Sequence, residues 1–522
     1  MAVDRFQMDR RSFIKTASAA GLVVGSGGLA AFLEACGSPS TSPTVGTKPV
    51  RGGTLTLAAV DSPINLDPQD TANYASAQVY NNIFSRLVDL DVNFNPLPAL
   101  AHSWSQDDDV TWTFNLVDNA VFHNGQPFTA KDVQYTFQRV TQHSDAVYLS
   151  AFKSVEILSK YQIRLHLTGP LGPLFPTLAY ASDIVNEEAV TTMDPKLHPV
   201  GTGPFKFVEW VQNDHVTLQR WDKYFKSGLP YLDEVIFKAI ADDSVRLTAL
   251  QTGAVDWIQQ VPTQQAAALQ SNTQLKHSPK YAFLPDMIAL NCKIPPFNDE
   301  RVRQAVAWAI DRKEIASLAF YSEGVAATEA VSPPNPFYSG ANPYAGAPDP
   351  QKAKSLLAAA GYPHGLTITY DGQSNVPTQV KIGEILQSQL AKAGITLQIT
   401  NYSSADWISR LLGLKYQMNE TYFALDIDPA WIYYPLCLST SKQNFTGFGS
   451  PQTDALLQQV MFNSSATARK SAYDKVVNAI AIAAPIIFID TEDLQYWMNP
   501  NVSGPFPIPT LDLRCEDVWK KK

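Results

Sequence analysis

Between residues 366 and 399 three elements follow one another with little chain to spare, and they constrain the fold more than any other stretch. Leu366-Thr367-Ile368-Thr369-Tyr370 reads as a strand, Gln379 to Ala393 as a helix with Ile382, Ile385, Leu386 and Leu390 on one face, and Ile395-Thr396-Leu397-Gln398-Ile399 as a second strand. Strands joined through a helix by short links run parallel, with a right-handed crossover. This half of the chain therefore reads as a doubly wound α/β lobe. The punctuation agrees: Asp349 is placed to cap a helix beginning at Pro350 and ending at Gly361, and Gly394 stops the next one.

Upstream the pattern differs in kind. Leu55, Leu57 and Ala59 alternate with smaller or polar residues from Arg51 to Val60, as a strand should, and Asp61-Ser62-Pro63 ends it. Residues 76 to 88 place Val79, Ile83 and Leu87 at helical spacing beside Tyr80 and Phe84, which predicts one core-facing helix. From 98 to 170 the chain turns to strands, Thr111 to Leu116 and Gln162 to Leu167, with a turn at Asn124-Gly125. A helix there starts at Thr129, whose hydroxyl can cap it, with Asp132 near its positive end. This stretch is expected to be a sub-domain inserted after the first strand and helix. Phe205 to Trp210 and Val216 to Trp221 predict a hairpin through Asn213-Asp214. Arg301 to Leu318 predicts one amphipathic helix with Val302, Ala305, Val306, Ala309 and Ile310 buried and both Arg301 and Arg303 in solvent.

The first 50 residues lie outside this architecture. Arg10-Arg11-Ser12-Phe13-Ile14-Lys15, an uncharged Ala- and Gly-rich run from Thr16 to Leu33, and Leu33-Glu34-Ala35-Cys36 form a targeting segment that resembles a twin-arginine signal of lipoprotein type, over residues 1–35. A membrane-spanning helix is the alternative for the uncharged run, and its small residues make it a poor one. Cys36 is the expected lipid anchor. Residues 36–50, rich in Pro, Ser and Thr, cannot pack and read as a flexible tether.

Behind the tether, a content of 45% hydrophobic and 17% charged residues describes an ordinary globular body long enough for two or three domains. The net charge of -9, with no basic stripe, argues against nucleic acid as a partner. Beyond Cys36 only Cys292, Cys437 and Cys515 occur, too few for a disulfide framework; if any two bridge, Cys292 with Cys437 is the expected pair. The 8 histidines are dispersed, with no His-x-x-x-His and no Cys-x-x-Cys, so neither a protein-built metal site nor a cofactor is expected. A secreted hydrolase is the rival of different class. The chain lacks Gly-x-Ser-x-Gly, His-Glu-x-x-His and Gly-x-x-x-x-Gly-Lys, so no catalytic residue is assigned and an enzyme is not expected.

Four separated pieces, taken in order, resemble one family. They are Gly52-Gly53-Thr54-Leu55 with Asn65-Leu66-Asp67-Pro68; Pro98 to Trp104 with Thr111-Trp112-Thr113-Phe114 and Val121-Phe122-His123-Asn124-Gly125 through Val133; Gly201-Thr202-Gly203-Pro204-Phe205; and Leu290-Asn291 with Pro296-Phe297-Asn298-Asp299, Arg301 to Ala305 and Ala309-Ile310-Asp311-Arg312. Singly each has a structural reading. Phe122 to Gly125, for instance, is a turn over a packed aromatic, with His123 as a hydrogen-bonded structural residue. As a set they resemble the extracytoplasmic solute-binding proteins of peptide and nickel type, family 5, that serve ABC importers.

That resemblance implies an α/β, two-lobed periplasmic-binding-protein-like fold with an extra sub-domain and a ligand cleft between lobes joined by a two-strand hinge. Lobe one would hold 51–90, 201–283 and 490–522, the inserted sub-domain 91–200, and lobe two 284–489. It implies a substrate receptor that delivers a small solute, most simply a peptide, to an ABC permease, as a monomer held by lipid at the outer face of the cytoplasmic membrane. An oligosaccharide on the same scaffold is the alternative, and a nickel chelate a third. Peptide-binding members carry Gly-Trp-x-x-Asp, whose aspartate takes the α-ammonium; the matching stretch here is Tyr422-Phe423-Ala424-Leu425-Asp426. Asp426 is thereby the expected ammonium partner. Phe423, Trp407 and Tyr74 are expected to line the pocket.

Overall fold

Three large sheets carry the described part of the chain, and the sequence enters them in nested order. The computed structural model describes residues 48–521, apart from 72, 92, 143–150, 279–281, 322, 323, 332, 334, 423–427, 494, 495 and 506–512. Cys36, its leader and all but the end of the tether lie outside the described residues.

The first sheet runs, edge to edge, Lys276–His277, Tyr496–Met498, Trp257–Gln259, Thr54–Ala59, Glu234–Ala239, His215–Arg220 and Phe205–Val211. Thr54–Ala59 is parallel to both its neighbours, and its Leu55, Leu57, Ala58 and Ala59 are all buried, as a strand covered on both faces requires. The expected hairpin of Phe205–Val211 with His215–Arg220 is there, its turn carrying Asn213 at φ 60°.

The helix that follows the first strand is shorter than its periodicity predicts. It spans Tyr74–Tyr80 and stops because residues 82–84 bond elsewhere. Asn82 and Ile83 carbonyls accept from the Phe205 and Gly203 amides, while the Asn82 side chain donates to Leu513 O and accepts from Cys515 N. The Gly-Thr-Gly-Pro-Phe piece is explained here. A Cβ at Gly201 would lie 2.1 Å from Ile83 O, and one at Gly203 would lie 2.6 Å from it, so only glycine allows the two backbones to touch.

A four-stranded antiparallel sheet, in the order Ala101–Asp108, Thr111–Leu116, Gln162–Leu167, Phe152–Ser159, lies in the chain between the first two strands of the sheet just described. Its helix, Ala130–Val140, begins with a capping box: Lys131 N donates to Thr129 Oγ1, and Thr129 N donates to Asp132 at 2.8 Å. His123 is structural, its Nε2 proton donated to Gly203 O at 3.0 Å. Burial pushes its pKa down to about 4, so the ring is neutral at pH 7.

The second large sheet runs Val325–Ala326, Ile486–Asp493, Ala282–Leu290, Met418–Tyr422, Leu366–Gln373 and Ile395–Tyr402. Leu366–Gln373 pairs in parallel with Ile395–Tyr402, with the helix Pro377–Lys392 between them in sequence. Asp349 caps the helix Pro350–Ala359 through Lys352 N at 2.9 Å, and Gly361 follows it at φ +98°. One face of the sheet packs Ile288, Leu290, Ile368, Tyr370, Leu397, Met418 and Ile487 beneath helical residues such as Val302, Ile382 and Leu386. The other face, with Met287, Ala289, Ile486 and Phe488, belongs to a cluster that continues into Phe114, Val133 and Ile163 of the four-stranded sheet.

Two expectations fail in this half. Arg301 to Leu318 is two helices, Glu300–Ala309 and Arg312–Leu318, because Asp311 caps the second by accepting from Glu314 N at 3.0 Å. Arg301 is exposed as expected, but Arg303 is buried, donating to Ala483 O at 2.7 Å and Phe297 O at 2.8 Å. The guanidinium is tolerated there because it satisfies two helix and loop carbonyls. Cys292 and Cys437 are free thiols, the first donating to Leu290 O and the second buried in an apolar cluster.

The chain crosses between the two large sheets twice, from Lys276–His277 into Ala282–Leu290 and from Ile486–Asp493 into Tyr496–Met498. In the second sheet these two segments pair antiparallel, Ala282 opposite Asp493.

Candidate functional site

Both crossings lie at one end of the second sheet, and that end is chemically distinct. Leu366–Gln373 and Met418–Tyr422 run parallel and finish there; Ala282–Leu290 starts there and Ile486–Asp493 ends there. The carboxyl ends of parallel strands are where α/β sheets hold ligands, because no side chain of the next turn closes that edge. The sequence places polar residues at this end on both faces, in strands otherwise apolar.

On the face beneath Pro377–Lys392, Tyr370 lies opposite Met418. Alternation puts Glu420 on that face too, and it lies opposite Ile288. Asp286, two residues before Ile288, lies opposite Asp490. Tyr370, Glu420, Asp286 and Asp490 are all buried. Burial first, and then the charges of Glu420, Asp286 and Asp371, push the Tyr370 hydroxyl pKa well above the usual tyrosine value. That hydroxyl has no hydrogen-bond partner among the described residues, nor has either amide atom of buried Gln379, one turn before the Gly383 that packs on the Tyr370 ring. Among the described residues no three His, Cys, Asp or Glu side chains are grouped as metal ligands.

On the opposite face Asp371 lies against Asn419, and Arg410 of the helix Ser404–Leu412 donates to Asp371 at 2.6 Å. Burial raises the Asp371 pKa, and Arg410 opposes the rise. Asn419 is fully buried, with neither end of its amide partnered among the described residues.

Of the residues expected to bind ligand, two are described. Trp407 sits on Ser404–Leu412 and is 6% exposed within the apolar cluster of that same face, its indole N–H without a partner among the described residues. Tyr74 begins the helix Tyr74–Tyr80 and its hydroxyl bonds that of Tyr496, on the strand reached by the second crossing. The two therefore sit on helices that pack against different sheets. Phe423 and Asp426 lie outside the described residues.

Two residues beyond them begins a network of opposite character. Asp428 accepts from Arg469 Nη2 at 2.7 and 2.6 Å, from Tyr473 Oη at 2.6 Å and from Ala430 N at 3.0 Å. Arg469 also donates to Val460 O at 2.9 Å and Gly172 O at 3.2 Å. Burial alone would lower the Arg469 pKa, but the Asp428 charge beside it raises it. Every strong group here is satisfied by the chain itself, which marks a structural clasp.

Sequence reading missed Asp286, Glu420, Asp490, Asn419, Tyr370 and Gln379. The signal was present: Asp286 in Leu-Pro-Asp-Met-Ile and Asp490 in Ile-Ile-Phe-Ile-Asp interrupt apolar strands. Only the register reveals that they meet.

Comparison with known proteins bears on the whole body. The profile of the family described as bacterial extracellular solute-binding proteins, family 5 Middle, matches residues 95–445. The chain is 28% identical over 475 residues to a glutathione-binding protein, GsiB, of Pectobacterium atrosepticum, which covers 87% of this chain and 91% of that one. Among solved structures it resembles the binding protein AgaA of A. tumefaciens R10 in complex with agropinic acid, at TM-score 0.75 and 27% identity over 90% of this chain and 99% of that one. It also resembles DppA of Helicobacter pylori in complex with the peptide STSA, at TM-score 0.75 and 25% identity over 91% of this chain and 99% of that one.

Proposed function

The chain belongs to the bacterial extracellular solute-binding proteins of family 5, two-lobed receptors of ABC importers and not enzymes, and from that premise we propose that its solute is a short peptide or a peptide-like amide. The observation that carries the ligand class is the buried amide of Asn419, facing the Trp407 side of the sheet end with both its donor and its acceptor unused among the described residues. A peptide bond offers the complementary acceptor and donor, and a solute that filled both would supply the hydrogen bonds that Asn419 lacks among the described residues. A sugar is less favoured: the relatives named above bind glutathione, a peptide or agropinic acid.

We assign 51–90, 201–283 and 490–522 to lobe one, 91–200 to the insert and 284–489 to lobe two, with the solute between lobes. What supports the division is the membership of the sheets, save that the two crossing strands, Ala282–Leu290 and Ile486–Asp493, lie wholly in the second sheet and straddle the boundaries at 283 and 490. Asp426 is the proposed partner of the peptide ammonium, with Phe423, Trp407 and Tyr74 around it. Cys36 is the proposed lipid anchor of a monomeric receptor; no helix among the described residues is long and apolar enough to cross a membrane.

Native mass spectrometry of the protein purified under non-denaturing conditions tests the ligand class, since a closed cleft retains its solute. A copurified peptide mass, displaced by added tripeptide, is expected. A copurified hexose oligomer would overturn the peptide reading. Asp426→Ala is expected to weaken peptide binding in calorimetry, and unchanged affinity removes Asp426 from the site.

A further inference from the structure

Arg410, on the helix Ser404–Leu412, is a cation that the chain holds in place without using up its donors. Its Nε donates to Asp371 at 2.6 Å, and its guanidinium carbon lies 4.4 Å from the centre of the Tyr402 ring. An ion pair on one edge and an aromatic face beneath fix the guanidinium plane. Neither Nη group donates to any of the described residues, and 30% of the side chain reaches solvent. Other arginines of this half spend their donors. Arg469 gives Nε, Nη1 and Nη2 to Val460 O, Gly172 O and Asp428. Arg301, although half exposed, gives all three to Asp299 and Ala359 O. A guanidinium kept only to pair with a carboxylate meets it with two parallel bonds, as Arg301 meets Asp299. Arg410 meets Asp371 through Nε alone.

Its surroundings add further unspent donors. Asp371 pairs with Asn419 across parallel strands, and Asn419 pairs with Ala289 on its other side, so the three side chains share a face. Ala289 belongs to the cluster that holds Trp407, which precedes Arg410 by about one helical turn. The Asn419 amide and the Trp407 indole N–H, both without partners among the described residues, thus lie on the face that Arg410 borders. A carboxylate is the group that accepts from two Nη donors at once. Phosphate has the same geometry, but Asp371 on the same guanidinium repels a dianion more than a monoanion.

We propose that Arg410 is the carboxylate receptor of the solute site, its two Nη groups taking the C-terminal carboxylate of the captured solute while Asn419 takes the peptide bond before it. Asp371 and Tyr402 are positioning residues, which hold the guanidinium in its plane and touch no solute. This inference rests on the peptide reading and deepens it: the preferred solute ends in a free acid.

Calorimetry on the purified full chain tests it with three probes: Ala-Ala-Ala as the free acid; the same peptide as its C-terminal amide, which keeps the peptide bonds and removes the charge; and glutarate, a dicarboxylate with no peptide bond. The free acid is expected to bind about tenfold or more tighter than the amide, the scale of a charge-assisted hydrogen bond. Arg410→Gln is expected to bring the ratio towards one by weakening the acid, with affinity for the amide unchanged. If Arg410→Gln lowers the unfolding midpoint by leaving Asp371 unpaired, the double variant Asp371→Asn with Arg410→Gln is read for the same ratio. Equal affinities in the wild type, or a ratio that neither variant moves, overturn the role of Arg410 and leave the peptide reading standing. Glutarate binding that Arg410→Gln abolishes, with neither peptide bound, keeps the carboxylate receptor and overturns the peptide reading. No binding by any probe overturns both.

Discussion

Tyr473 and Tyr370 are both fully buried in the same half of the molecule, and both feel carboxylates, yet their surroundings are opposites. The Tyr473 hydroxyl donates to Asp428 at 2.6 Å, inside a network closed by Arg469, Ala430 and two backbone carbonyls. The Tyr370 hydroxyl finds no partner among the described residues, and Gln379 and Asn419 nearby share that condition. The difference teaches how to tell a polar cluster that holds a fold from one that awaits something. The first is saturated by its own chain; the second carries capacity the chain leaves unused.

The largest test of that contrast removes the cation of the saturated network. Arg469→Ala leaves Asp428 buried without its counter-ion and is expected to cost about 3–5 kcal/mol in denaturant unfolding. A loss below about 1 kcal/mol would show that the clasp does not hold the fold, and the contrast would collapse.

A milder test uses a group that burial holds in its neutral form. His123 has a folded pKa of about 4, below the unfolded value, so the native state refuses a proton that the unfolded chain accepts. Its contribution is intact above about pH 6.5 and is lost as pH falls from there towards about 4, by about 3 kcal/mol, after which it changes no further. Unfolding free energy followed across that window, with His123→Gln flattening this component, checks the sign. Stability that rises as pH falls would contradict it.

The sharpest pairing is between the tyrosines themselves. Tyr473→Phe takes a donor from a buried carboxylate and is expected to cost about 1.5–3 kcal/mol. Tyr370→Phe removes a hydroxyl with no partner and is expected to stay within about 0.5 kcal/mol of wild type without ligand. Equal losses in the two variants, measured by the same denaturant titration, would break the comparison.

Much of the fold was legible because local rules and global packing agree. Thr129 with Asp132, Asp349 with Pro350 and Gly361, and the run from 366 to 399 each name an element and its end. The failures arose where distant chain intervened. The helix predicted to 88 ends at Tyr80 because Asn82 and Ile83 serve Gly203, Phe205, Leu513 and Cys515, residues at least 120 positions away. Arg303 reads as a surface residue by periodicity and is buried because Ala483 and Phe297 offer carbonyls. The site was less legible still. A single Asp or Glu in an apolar strand has no evident partner until register sets Asp286 opposite Asp490 and Glu420 beside them.

The place of Tyr496–Met498 in the first sheet has a consequence for the timing of folding. This late strand lies between Trp257–Gln259 and Lys276–His277, and the tail beyond it returns to the start: Lys520 Nζ bonds Asp256 at 2.9 Å, whose Oδ2 accepts from Thr56 N at 3.0 Å. A ribosome delivers Thr56 long before Lys520, so the first sheet is incomplete until the segment around Lys520 has been made. The second sheet can pair its own strands earlier, though it too waits for Ile486–Asp493. An export route that takes folded cargo, of the kind the Arg10-Arg11 segment resembles a signal for, would thus find the first sheet closed only once Tyr496–Met498 has joined it.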